Sequence, residues 1–296
     1  MVATAGLAFV KLVLGLGVFV ALGYFGKFYD KRIAGVLLTF PILNSIGIIT
    51  GDDPLAVADA VYAVVVLNGL ILFFMIGFCE RLTPMAGASD NFKLVARVAV
   101  WTAIWAVCAP LVTTFRDDLP GIAGILTLQI VLAVLAVVAV WIPPRTMANT
   151  GAPSLSLAGH LQALVELWGN PSGIARMGLF VLCCGVLFLA AHLYTSKWVG
   201  MFSAVPLPGL FAIATLSVMN AQEDIKLMRD TVLIGALSVN IFNWLFAHLF
   251  IRLPFVDGAA HAVAGIVMLV GMMAIDAVLL FWLTPQISAY LDRVRA

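Results

Sequence analysis

Residues 27–50 read KFYDKRIAGVLLTFPILNSIGIIT, and residues 192–215 read HLYTSKWVGMFSAVPLPGLFAIAT. Laid over one another at an offset of 165, they place Tyr29 on Tyr194, Gly35 on Gly200, Pro41 on Pro206, Ile48 on Ile213 and Thr50 on Thr215. Arg32 meets Lys197, and upstream Lys11 meets Arg176. With six more residues in the later loop, Asp59-Ala-Val aligns with Asp230-Thr-Val. Matches of Tyr, Gly and Pro in one ungapped register point to an internal duplication.

The surrounding composition says where such a duplicated unit lives. The chain has 296 residues, 63% of them hydrophobic and only 10% charged, with a mean hydropathy of +1.11. Soluble domains carry about 25% charged residues, so these side chains cannot cover a water-facing surface. The expectation is an all-α polytopic membrane protein. A net charge of +1 offers no basic face for nucleic acid. Cys79, Cys108, Cys183 and Cys184 lie in apolar runs without metal or disulfide spacing, which reads as small core residues. Long unbroken apolar runs also exclude the short alternating strands of an outer-membrane barrel.

Nine apolar stretches are separated by charge, Pro and Gly clusters, at about 4–25, 33–50, 57–79, 92–114, 120–142, 175–195, 198–219, 230–251 and 260–284. The long loop 143–174 holds Leu157, Leu161, Leu164, Val165 and Trp168 at helical spacing. That pattern fits an amphipathic helix lying in the membrane interface, or one packed on neighbouring loops. Placing the amino terminus outside puts 12 of the 16 basic residues on the cytoplasmic side, so the orientation expected is N-out and C-in.

The duplicated units open at spans 1 and 6, an odd number of crossings apart, so they must be inverted relative to each other. The architecture expected is 4+1+4. Residues 1–114 form the first four-helix repeat, 115–174 a connector helix plus the interfacial segment, and 175–296 the second, inverted repeat. Inverted repeats of this kind recur in secondary transporters.

A basic residue opening the first span, followed by K/R-[IVW]-[AV]-G and a mid-span [FV]-P, resembles the small four-span GlpM-like membrane proteins. Residues 210–235, LFAIATLSVMNAQEDIKLMRDTVLIG, are similar to their second and third spans with the joining loop. The resemblance touches roughly 60 residues in each half. It implies a multi-pass protein of the bacterial inner membrane, with an envelope or exopolysaccharide link. Ser196-Lys197-Trp198 and Pro208 depart from the simple pattern.

Pro41 and Pro206 sit inside spans 2 and 7 at matched positions. Proline lacks an N–H and clashes with the preceding turn, so each span should kink or break there. Paired breaks are the best sequence pointer to a transporter site, although one packing kink in each half would look the same. The substrate-binding candidates are Pro41, Asn44, Ser45, Asn68, Pro206, Pro208, Asn240 and Asn243. The asparagines of spans 3 and 8 also read as interhelical hydrogen-bond partners. Asp276 is acidic and well inside a span, so it reads as a coupling residue or as an interfacial carboxylate. Lys11, Lys31, Arg32, Arg176 and Lys197 flank the paired spans and read as topology anchors or as holders of an anion.

No nucleophile–base pair, metal cluster or cofactor motif is present, so an enzyme is not expected, and no cofactor or metal. The function expected is secondary transport of a small anionic or lipid-like solute by alternating access. The alternative is a non-transporting accessory subunit with an envelope-assembly protein as its partner.

Overall fold

A computed structural model describes residues 2–28, 34–35, 37–38, 44–45, 48–49, 53–82, 87–117, 126–127, 130–131, 133–134, 156–192, 204–219, 228–253 and 259–295. Among these the protein is all-helical. Its long elements are α1 (Val2–Phe28), α2 (Pro54–Leu82), α3 (Asp90–Asp117), α4 (Leu157–Trp168), α5 (Pro171–His192), α6 (Leu207–Met219), α7 (Arg229–Phe250) and α8 (Ala259–Arg295). Helical residues also occur between 34 and 49 and between 126 and 134.

Local chemistry fixes several helix starts. Asp53 accepts from Leu55 N and Ala56 N, each at 3.1 Å, and Pro54 follows as the first helical residue, where its missing N–H costs nothing. Ser156 caps α4 through Gly159 N at 3.2 Å. Asn170 serves two helices at once. Its Nδ2 donates to the Glu166 and Leu167 carbonyls at the end of α4, while its Oδ1 accepts from Gly173 N in the first turn of α5. The corner between α4 and α5 is therefore tight. α8 continues through Pro285 to Arg295, so the helix runs about eleven residues past the apolar stretch read at 260–284.

Packing contacts give the helix directions. Gly26 of α1 lies against Leu216 of α6 and Met228, the residue before α7. Gly23 lies against Trp168, just ahead of α5. The Arg97 guanidinium of α3 donates to Ser217 of α6, and that of Arg229 sits 5.6 Å from the Phe73 ring of α2. One end of the bundle thus gathers the C-terminal parts of α1, α2 and α6 with the N-terminal parts of α3, α5 and α7. At the other end Phe250 of α7 meets His261 of α8, ring centroids 4.4 Å apart. Gly265 of α8 lies there too, against Phe250 and Ile49. Gly35 meets the Met228 carbonyl and Thr231 at the first end, so residues 34–49 run away from it.

The most extensive helix pair is α2 with α7, and the two run antiparallel. Phe19, Trp168, Phe180 and Phe211 join α1, α4, α5 and α6 in one aromatic cluster with centroids 4.8–5.8 Å apart. Trp168, Leu167 and Ala163 are buried while Leu161 and Val165 are exposed. α4 therefore docks on α1 and α5 through one edge and leaves the rest of its apolar face outward.

The exterior is apolar. Val107 and Leu111 of α3 and Val278 of α8 are each 68% exposed, and Ile174, Leu182 and Val186 line an outer stripe of α5. Water would penalise such faces, whereas lipid tails match them. One described segment, Asp90–Thr114, is long and apolar enough to cross a membrane. Shorter apolar helical stretches occur at Gly15–Phe28, Leu67–Phe78, Pro171–Val186, Leu207–Met219, Ile241–Phe250 and Val263–Ile275. The architecture is compatible with a helical membrane protein.

Candidate functional site: a cavity beside the helix break

Pro206 and Pro208 shape the start of α6. Neither has an N–H, so neither can bond the carbonyl four residues before it. Ala204 is in a turn, Val205 and Pro206 are not helical, and the helix begins only at Leu207. The first α6 bond of the i to i−4 kind is Leu210 N to the Pro206 carbonyl at 2.9 Å, while Leu207 N turns back to the Val205 carbonyl at 2.8 Å. The break expected at Pro206 is present. Pro41, its matched partner, lies outside the described residues.

A cavity of about 40 Å³ opens beside this break. Val18, Leu38, Asn44, Val65, Asn68, Leu72, Ala204, Val205, Pro206, Pro208, Ala236 and Val239 line it. On the measure that one water needs about 10–15 Å³, it has room for about three water-sized groups. Four expected site residues meet here: Asn44, Asn68, Pro206 and Pro208. Val65 with Ala236, and Asn68 with Val239, are each 171 residues apart, the same offset that aligns Asp59 with Asp230. The cavity wall thus includes two pairs of positions at that offset.

Asn68 is fully engaged. Its Nδ2 donates to the Ala204 carbonyl, which Pro208 could never have satisfied. Its Oδ1 accepts from Trp105 Nε1 of α3 at 2.8 Å. The side chain therefore supplies the donor that the proline removed, and ties α2 to α3 and to the segment ahead of α6. Asn44, 9% exposed, lines the cavity and makes no side-chain hydrogen bond among the described residues.

Ser45 and Asn243 lie next to the cavity wall, both completely buried. Ser45 Oγ donates to Asn243 Oδ1 at 3.3 Å, and Asn243 Nδ2 has no partner among the described residues. Asn68 lies three residues beyond Val65 on α2, about 4.5 Å toward the end where Arg97 and Arg229 gather. Asn243 lies seven residues beyond Ala236 on α7, about 10 Å toward the opposite end. Two hydrogen bonds that join residues distant in sequence, Asn68 with Ala204 and Ser45 with Asn243, therefore flank the cavity, one on each side.

The other expected residues are placed less completely. Asn240 falls on α7, Lys11 on α1 and Asp276 on α8, but their side chains lie outside the described set. Lys31, Arg32 and Lys197 lie outside the described residues. Arg176 is 8% exposed, within Coulombic reach of Asp90, and does not line the cavity.

Arg97 is the residue that sequence reasoning passed over. Read as one more cytoplasmic basic residue, it is 5% exposed and donates to Ser217 in the last turns of α6, where the helix dipole favours a cation. Among the described residues no cluster of His, Cys, Asp or Glu could hold a metal. Compared with protein-family models, curated proteins and solved structures, the chain matches none of them.

Proposed function

We propose that the protein is a secondary transporter of the bacterial inner membrane, working by alternating access of two inverted units. Helix directions support the inversion. α1 and α5, residues 34–49 and α6, α2 and α7, and α3 and α8 form four matched pairs, and the members of each pair run oppositely. The directions also support nine crossings. α1 and α2 run the same way, so residues 34–49 supply the return between them. α3 and α5 run the same way, so the segment around 126–134 has to supply another. Residues 1–114 and 175–296 are then the two units, with 115–174 as the connector, N-out and C-in.

The observation that carries the reading is the cavity whose wall includes two pairs of positions at the 171-residue offset, beside a proline break and between two hydrogen bonds that join residues distant in sequence. In alternating access the Asn68–Ala204 bond closes the inner side and the Ser45–Asn243 bond closes the outer side. Asp276 is the coupling residue. Proteoliposomes carrying the purified chain should show gradient-driven solute uptake. Asp276→Asn should reduce its dependence on a pH gradient at least tenfold. Absence of flux across a panel of neutral, anionic and lipid-like solutes would defeat the proposal.

The small volume of the cavity favours a second reading, an accessory subunit of an envelope assembly, as the GlpM-like resemblance implies. On that reading the protein co-purifies with a synthase or export component, and flux is absent.

A further inference from the structure

The cavity is built for a neutral guest. No Lys, Arg, Asp, Glu or His is among its described lining residues. A helix N-terminus ordinarily offers N–H groups to an anion, but α6 has lost this capacity. Prolines remove the N–H at 206 and 208, and that of Leu207 is spent on the Val205 carbonyl. At most the Gly209 N–H remains. A bare cation fares no better, because it needs several oxygen ligands. The Ala204 carbonyl already accepts from Asn68, and Asn68 Oδ1 already accepts from Trp105.

What remains is the amide of Asn44, a residue 9% exposed that lines the cavity. It offers two donors and one acceptor in the same plane. A guest that pairs with both the N–H and the C=O of that amide makes two hydrogen bonds at one residue. We propose that this cavity binds a small uncharged solute carrying a donor and an acceptor side by side, of the primary-amide class, with Asn44 as the residue that recognises it. A guest of about three heavy atoms fits the volume. This inference rests on the transport reading and narrows it, because it replaces the anionic or lipid-like solute with a neutral one.

Formamide and formate test it directly, since they share shape and size and differ in charge. Saturation-transfer NMR on the purified full chain in detergent micelles should show transfer to formamide and none to formate. The formamide signal should fall at least fivefold in Asn44→Leu. It should fall equally in Val239→Phe, which fills the cavity from α7 and keeps the test valid if the first variant does not fold. Equal transfer to formate, an unchanged signal in a folded variant, or no transfer to formamide in the parent chain would overturn the inference. Flux of anions without formamide binding would overturn this site and leave transport standing. Formamide binding at Asn44 with no flux of any solute would do the reverse.

Discussion

Replacing Asn68 by Leu should destabilise the folded protein by about 2–4 kcal/mol, because two buried groups lose their partners at once. Trp105 Nε1 loses its acceptor and the Ala204 carbonyl loses its donor. Trp105 is buried and does not line the cavity, so its N–H cannot turn to water. Leu has the same branched four-atom skeleton as Asn, so no cavity is left and the loss reports hydrogen bonding. The measurement is the midpoint of thermal unfolding in micelles. A companion variant makes the cause specific. Pro208→Ala restores an N–H four residues beyond Ala204, and in the Asn68→Leu background it should recover part of the lost stability. An Asn68→Leu chain as stable as the parent would remove Asn68 from its role in holding the break.

Gly35→Val should cost about 3 kcal/mol, at the upper end of what overpacking produces. A Cβ on Gly35 would stand 2.3 Å from the Met228 carbonyl oxygen and 2.4 Å from Thr231 Oγ1. That carbonyl accepts from the Thr231 and Val232 backbone N–H groups in the first turn of α7. It cannot retreat without unravelling that turn. Gly77 provides the contrast, because a Cβ there meets nothing within 4 Å. Gly77→Ala should be neutral or slightly stabilising through helix propensity. Similar unfolding midpoints for Gly35→Val and Gly77→Ala would contradict the close approach of residues 34–49 to α7.

Pro206 was legible in the sequence, because a proline stops a helix before any packing is known, so the start of α6 follows from residue type. Gly35 stood out only as a match to Gly200, and its close contact with Met228 and Thr231 was not legible. The position of the cavity was legible in part. The paired prolines and nearby asparagines pointed to it, and the 171-residue offset, carried beyond Asp59 and Asp230, reaches Val65, Ala236 and Val239.

The partners were not legible. Nothing in the sequence says that Asn68 will bond the Ala204 carbonyl, because that depends on the height at which α2 passes the break. Arg97 was only one of the 12 basic residues counted on the cytoplasmic side. Its burial follows from α3 packing on the last turns of α6. α4 was amphipathic by pattern, but the tight corner at Asn170 and the fit of Trp168 against Gly23 pull one edge of it into the bundle. α8 runs on through Pro285 because the carbonyl its ring frees can be satisfied by water or neighbouring groups.

Sided labelling of the cavity tests alternating access most directly. In a chain whose four native cysteines are replaced, Val239→Cys should react with a membrane-impermeant thiol reagent from either face. Right-side-out and everted vesicles present those two faces. Adding Ser45→Ala, which removes the bond on the outer side, should raise the rate from outside at least threefold and leave the inner rate unchanged or lower. Adding Asn68→Ala should do the opposite. Reactivity from one face only, or equal changes on both faces in both variants, would contradict a site that opens to each side in turn.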